Sequence, residues 1–249
     1  MIRNQNNILF LFDIDGTLCD IRCKAPKKII DMLLQLKTKV NIGFVGGSDL
    51  QKQKEQIGEN ILDIFHYGFP ENGLQYFKDG ILQNSKSIIE FLGEDNFKKL
   101  INKILLILSK VDCPKKRGLF IETRNSMVNI SPIGRSCNYH ERLEFFEFDK
   151  KHNIRKEIIL NLKNITDELN LVCSIGGQIS IDIFPKGWDK TYCLNYVEEQ
   201  IIYFFGDRIQ PGGNDYEIYH HPRINGIYVN GPNDTIQKVN EILKTLNLI

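Results

Sequence analysis

Three features of the chain predict an α/β fold, with a doubly wound parallel sheet as its core and an inserted α+β cap domain. The apolar run Ile8 to Phe12 stops abruptly at Asp-x-Asp-Gly-Thr, the way a buried parallel strand opens into a loop. Strand-like and helix-like stretches then alternate through the first part of the chain. That rhythm lapses between residues 83 and 185 and resumes after Trp188.

Ile8 to Phe12 is the first strand. A helix follows over Ala25 to Thr38, with Pro26 near its start and Ile29, Ile30, Leu33, Leu34 and Leu36 at helical spacing. Val40 to Val45 reads as a second strand running out into Gly46, Gly47 and Ser48, and a second helix begins near Asp49. Strand, helix, strand, helix implies βαβ units and a Rossmann-like parallel sheet, with ligands beyond the carboxyl ends of the strands. Asp13 and Ser48 both stand at such ends. Leu74 to Leu82 reads as a hairpin turning at Asp79-Gly80.

Helical stretches near 94–110 and 152–170 then alternate with β-rich Leu119 to Ile130 and Leu171 to Phe184. Lys190 to Glu199 reads as a helix, Ile201 to Phe205 as a strand leaving through Gly206-Asp207, Gly226 to Val229 as a short strand and Asp234 to Leu246 as a closing helix. The expected catalytic core is therefore 1–82 plus 186–249, and the expected cap, lying over the strand ends, is 83–185.

With 249 residues, 42% hydrophobic and 25% charged, the chain has the composition of a folded globular protein, and its length fits one large domain or two smaller ones. A net charge of +1, from 32 basic and 31 acidic residues, sets up no global field to gather nucleic acid, so any phosphate binding is local. The longest apolar runs, Ile8 to Phe12 and Ile104 to Leu108, are far shorter than the ~20 residues of a membrane span. The polar stretch Met1 to Asn7 has no secretory pattern, which predicts a cytoplasmic location. The six cysteines form no CxxC pair and read as reduced thiols; zinc at Cys19 and Cys23 lacks a second Cys/His pair.

Phosphoryl transfer needs a nucleophile in line with phosphorus, a divalent cation on the equatorial oxygens and a group to handle the proton. Asp13 and Asp15, one residue apart at a strand exit, provide two carboxylates: one attacks and the other manages the proton. Gly16 permits the sharp turn, and the Thr17 hydroxyl and local amides can hold phosphate. A calcium loop would need further ligands and a distal Glu, which TLCDIRCK does not contain. Asp207, at another strand exit, adds a third carboxylate, and Asp215 follows in a Gly-rich loop. Oxygen donors of this kind suit magnesium. Ser48 can donate a hydrogen bond to the phosphoryl group, and Lys190 can offset its charge.

The segments LFDIDGTL, GFVGGSDLQK, FPENGL, RNSMVNISPIGRSC, SIGGQISIDIFPKGWDK and FFGDRIQPGGNDYEI run in order through nearly the whole chain. Together they resemble the eukaryotic-type phosphomannomutases of the haloacid dehalogenase superfamily. The resemblance implies a sugar 1,6-bisphosphate that phosphorylates Asp13, with Asp15 as acid and base and a mannose phosphate, which turns around, as acceptor. It implies magnesium held by Asp13, the Asp15 carbonyl and Asp207, and substrate phosphate bound by Arg124, Arg135 and Arg142 of the cap and by Arg22 beside the catalytic loop. Ser180 and Asp182, on one face of the strand QISIDIF, match sugar-hydroxyl contacts, and a homodimer through the caps is implied as well. Arg117 has no such match and reads as a surface charge. Competing expectations are a sugar-phosphate phosphatase or a phosphoglucomutase on the same scaffold, and a noncatalytic module switched by phosphorylation of an acceptor Asp.

Overall fold

The computed structural model describes residues 7–21 and 23–249. β1 (Ile8–Phe12) is buried throughout, and its side chains divide by parity. Phe10 and Phe12 join Leu33, Phe44 and Val239 in one apolar layer, while Leu9 and Leu11 join Val45, Phe69 and Phe204 in another. A strand covered on both faces needs apolar side chains at every position, hence the unbroken run. α1 (Lys27–Lys37) starts after Pro26 and buries Ile29, Leu33 and Leu36. β2 (Asn41–Val45) leads to α2 (Leu50–Ile57), whose first turn is capped by the Asp49 side chain accepting the Lys52 N–H at 2.8 Å. Two unforeseen elements follow, α3 (Ile61–Ile64) and β3 (Tyr67–Phe69), each too short to show a hydrophobic period. β4 (Gln75–Lys78) and β5 (Ile81–Ser85) form the expected hairpin.

The chain continues through α4 (Ile88–Leu92), α5 (Glu94–Lys110), β6 (Ile121–Thr123) and β7 (Val128–Ile130). α6 (Tyr139–His152) was not foreseen in the sequence, because it carries no apolar stripe; its buried residues are Phe145 and Asp149. A capping box sets its start: Asn138 Oδ1 accepts the Glu141 N–H and Glu141 Oε2 accepts the Asn138 N–H, both at 3.0 Å. α7 (Ile154–Glu168), β8 (Leu171–Gly176) and β9 (Ser180–Pro185) complete this stretch. Lys190–Tyr196 is a 3-10 helix, shorter than the helix expected over Lys190 to Glu199, and Asp189 caps it by accepting the Thr191 N–H at 2.8 Å. β10 (Ile201–Gly206), α8 (Tyr216–Tyr219), β11 (Ile224–Tyr228) and α9 (Pro232–Thr245) end the fold.

The larger sheet has the order β11-β10-β1-β2-β3-β4-β5, parallel from β11 to β3 and antiparallel from there. β1 lies between β10 and β2, so the connections leave it in opposite directions, and a doubly wound sheet binds ligands where that happens. The smaller sheet, β6-β7-β9-β8, is antiparallel. The chain separates into two compact units, Met1–Ser85 with Gly187–Ile249, and Lys86–Lys186.

Candidate active site

Because β1, β2 and β10 are parallel and Phe12 pairs with both Phe44 and Phe205, their carboxyl ends meet at one edge of the sheet. Asp13 is the next residue out of β1. Its N–H still belongs to the sheet, donating to Phe205 O at 2.9 Å, and the residue is 3% exposed. It continues the parity of Leu9 and Leu11, whose layer also holds Cys193 and Leu194 of the 3-10 helix. Lys190 opens that helix, is 1% exposed, and pairs its Nζ with Asp13 Oδ1 and with Asp215 Oδ1, the latter at 2.6 Å. An ammonium this deeply buried needs such partners.

Asp215 is fully buried, and its Oδ2 accepts the Asp207 and Arg208 N–H groups, each at 3.1 Å. It therefore ties the β10 exit loop to Lys190. A Cβ at Gly206 would come within 2.7 Å of Asp215 Oδ2, so this strand exit requires glycine. Gly16 does the same for the Asp13 loop: its φ is +81°, and a Cβ there would run into the Asp207 carboxylate.

These contacts set the charge states. Burial works against the Lys190 charge, but Asp13 and Asp215 outweigh it, so Lys190 holds its proton more tightly than an ordinary lysine. Burial pushes the Asp13 carboxyl up to about 7; Lys190 opposes the rise and Asp215 adds to it. Asp207 is raised by burial and then by Asp215. The site is thus rich in carboxylate and short of positive charge.

A divalent cation fits that imbalance. Carboxylate oxygens of Asp13, Asp207 and Asp215 lie within 4.8 Å of one another, and Asp207 Oδ1 is buried with no hydrogen-bond partner among the described residues. An all-oxygen donor set of this kind suits magnesium. Since both Asp215 oxygens are already engaged, Asp13 and Asp207 are the better placed donors and Asp215 the anchor.

Asp15 leaves the strand direction: its Oδ1 accepts from Gln56 Nε2 at 2.7 Å, at the end of α2. Thr17 is fully buried, its amide turned back to Ile14 O at 3.3 Å and its hydroxyl without a partner among the described residues. Ser48 is half-buried past the end of β2, where its carbonyl accepts from Gln53 Nε2 and from the Glu71 N–H, both at 3.0 Å. Arg22 lies outside the described residues.

The second unit holds its own polar cluster. Glu122 Oε2 accepts from Arg124 Nε at 3.0 Å and Nη2 at 2.7 Å, and pairs with Arg135 Nε at 3.1 Å. Arg135 Nη1 donates to Asn129 Oδ1 at 2.8 Å and to Ser180 Oγ at 3.4 Å, and Asn129 Nδ2 donates to Asp182 Oδ1. Ser180 and Asp182 follow the two-residue period of β9, and Asp182 is the register partner of Asn129 on β7. Arg124, Arg135, Ser180 and Asp182 are thus brought together, whereas Arg142, in the first turn of α6, shares none of these bonds among the described residues. Arg117 pairs instead with Glu141.

Three contributors escaped the sequence reading. Asp215 was visible in its Gly-rich loop but carried no assigned role. Glu122, two residues before Arg124, had the spacing of a same-face partner. Gln56 gave no signal at all.

Residues 29–245 match the sequence profile of the eukaryotic phosphomannomutase family. The chain is 54% identical to the phosphomannomutase of Encephalitozoon cuniculi, covering 100% of this chain and 98% of that one. It is 49% identical to that of Saccharomyces cerevisiae, covering 96% of each. Among solved structures, the trehalose-6-phosphate phosphatase of Aspergillus fumigatus superposes with a TM-score of 0.60 at 14% identity, covering 96% of this chain and 93% of that one, a likeness of fold alone. On its full-length sequence similarity the chain belongs to the eukaryotic phosphomannomutase family.

Proposed function

We propose that this protein is a phosphomannomutase that interconverts mannose 6-phosphate and mannose 1-phosphate through a phosphoryl group carried on Asp13, supplying mannose 1-phosphate for GDP-mannose and glycosylation. One observation carries the reading: in a chain 54% identical along its whole length to a phosphomannomutase, Asp13 directly follows the central parallel strand, is ion-paired to a buried Lys190 and stands beside Asp207.

In the first half-reaction an Asp13 carboxylate oxygen attacks phosphorus of a hexose 1,6-bisphosphate. The acyl-phosphate bond forms as the bond from phosphorus to the sugar oxygen breaks, and Asp15 gives that oxygen its proton. In the second, the free hydroxyl of an incoming mannose monophosphate attacks the same phosphorus, Asp15 takes its proton, the Asp13–phosphate bond breaks, and the bisphosphate so formed turns around to offer its other phosphate to Asp13. Gln56 holds Asp15 oriented for both transfers. Lys190 offsets charge on the nucleophile, and Ser48 donates to the phosphoryl oxygens. Magnesium, held by Asp13, the Asp15 carbonyl and Asp207, supplies positive charge to the phosphoryl oxygens when bound. Arg124, Arg135, Arg142 and Arg22 bind substrate phosphate, and Ser180 and Asp182 bind sugar hydroxyls, since a mutase must hold a phosphate at each end of its intermediate.

The expected setting is the cytoplasm. No helix of the described residues is long and apolar enough to cross a membrane. The expected assembly is a homodimer through the 86–186 unit, supported by Leu105 and Leu106 on α5 and Leu160 on α7, all more than half exposed; light scattering on the purified protein checks it.

The test of function is a coupled assay with magnesium and mannose 1-phosphate, with and without glucose 1,6-bisphosphate, following mannose 6-phosphate and free phosphate together. Bisphosphate-dependent mannose 6-phosphate with little free phosphate is expected. Free phosphate alone would make the protein a phosphatase.

A further inference from the structure

Glu122 sets a carboxylate between two arginines read here as phosphate ligands. Its single oxygen Oε2 accepts both N–H groups on one edge of the Arg124 guanidinium, at 3.0 and 2.7 Å, and is ion-paired with Arg135 Nε at 3.1 Å. The three side chains are 33%, 39% and 28% exposed, so they remain open to a ligand from solvent. The charge of the trio is +1 rather than +2. Arg135 is turned further by Asn129 Oδ1 at 2.8 Å, and Asn129 in turn binds Asp182, so the geometry of both guanidiniums is transmitted to a residue read here as a sugar-hydroxyl contact.

We infer that Glu122 is a positioning residue that sets the strength of the distal phosphate site: it aligns Arg124 and Arg135 and cancels one of their charges, so that the phosphate is held and then let go. The inference rests on the reading of Arg124 and Arg135 as phosphate ligands. A mutase makes a demand that a simple binding protein does not. The end of the sugar gripped in one half-reaction must be released so that it can react in the next, and two uncompensated arginines bonding a dianion in partly desolvated surroundings would oppose that release. A carboxylate sharing the same guanidinium edges competes with the phosphate for them. Uniform tightening of this kind lowers KM without raising kcat, and lowers kcat where reorientation limits turnover.

The experiment measures steady-state kinetics with mannose 1-phosphate and calorimetric affinity for glucose 1,6-bisphosphate, both with magnesium, on wild type, Glu122→Gln, Glu122→Ala, Arg124→Gln and Arg135→Gln. Glutamine keeps the shape and an acceptor oxygen but not the charge. Glu122→Gln should bind the bisphosphate about tenfold more tightly and show a lower KM with an equal or lower kcat, at an unchanged melting temperature. Glu122→Ala, which loses alignment too, should show a smaller gain or a loss. A merely structural Glu122 would instead lower stability and weaken binding in both variants. Unchanged or weaker bisphosphate affinity in Glu122→Gln, with the arginine variants weakened as expected, overturns the inference alone. If neither arginine variant loses affinity, the distal phosphate is bound elsewhere and the reading beneath it fails as well.

Discussion

Lys190 and the two aspartates around it carry most of the electrostatic tension in the core unit, and removing the cation shows how much. In Lys190→Met, Asp13 and Asp215 stay buried without a counter-charge, a situation that costs about 3–5 kcal/mol. In a chain of this length that lowers the melting temperature by about 10 °C. The sign of the pH dependence follows from Asp13, whose folded carboxyl is already pushed up to about 7 by burial and rises further once Lys190 is gone. A group raised in the folded state keeps its contribution below the unfolded pKa and loses it as pH rises through the folded one. The deficit of Lys190→Met should therefore shrink between pH 8 and pH 5, and thermal scans across that range check it. Asp15 poses a different test. Asp15→Asn keeps the hydrogen-bonding shape facing Gln56 but cannot exchange a proton, so turnover should fall by roughly 10²- to 10⁴-fold while the fold melts as before. An Asp15→Asn protein with full turnover would return proton handling to another group.

At the scale of elements, His66 joins two neighbouring strands. Its backbone N–H donates to Ile42 O at 3.0 Å, and its ring Nδ1 accepts the Ile42 N–H at 3.1 Å, a bond that requires the ring to be neutral. Burial, and then Lys37, lower its pKa below 6.5. Above pH 6.5 folded and unfolded rings are both neutral; as pH falls through the folded pKa the native state loses stability, because the unfolded ring takes up its proton first. Melting temperature should accordingly drop on acidification, and less so in His66→Asn, whose Oδ1 replaces the acceptor without titrating. α6 depends on its cap: Asn138→Ala should cost about 1 kcal/mol in urea unfolding, with little change if flanking packing rather than the capping box holds the helix. These elements also mark how far the sequence could be read. β1, β2, β10, α1, α5 and α9 announce themselves through long apolar runs or helical periods, and Asp13, Asp15 and Asp207 are found because each lies just past such a strand. α6 lacks a stripe, and β3 has three residues. Gln56 reaches Asp15 from 41 residues away in sequence, a pairing that only the folded chain creates.

For the whole molecule, the decisive fact is that one compact unit is inserted into another: the chain leaves the first at Ser85 and re-enters it at Gly187. A unit formed from one continuous stretch needs no second stretch of chain to complete it. In Lys86–Lys186, α5 packs on α7 and α7 on β8 and β9, with Leu100, Ile104 and Leu108 of α5, Ile158, Leu162 and Ile165 of α7, and Val128, Ile130, Ile181 and Ile183 of the antiparallel sheet all buried. Inside it, Arg155 is 4% exposed, pairs with Asp149 at 2.7 Å and donates to Gly177 O at 3.0 Å, so even its buried charge is satisfied locally. The first unit is assembled from two separated stretches, and β1 cannot find β10 until both are present. Residues 86–186 expressed alone should therefore fold, with a cooperative urea transition and a stability of ~5 kcal/mol or more, the ordinary value for about 100 residues. Residues 1–85 alone should not fold, for β1 would be left bare along the edge where β10 belongs. A broad, non-cooperative melt of the 86–186 fragment would mean that its helices and sheet are held together by the rest of the chain.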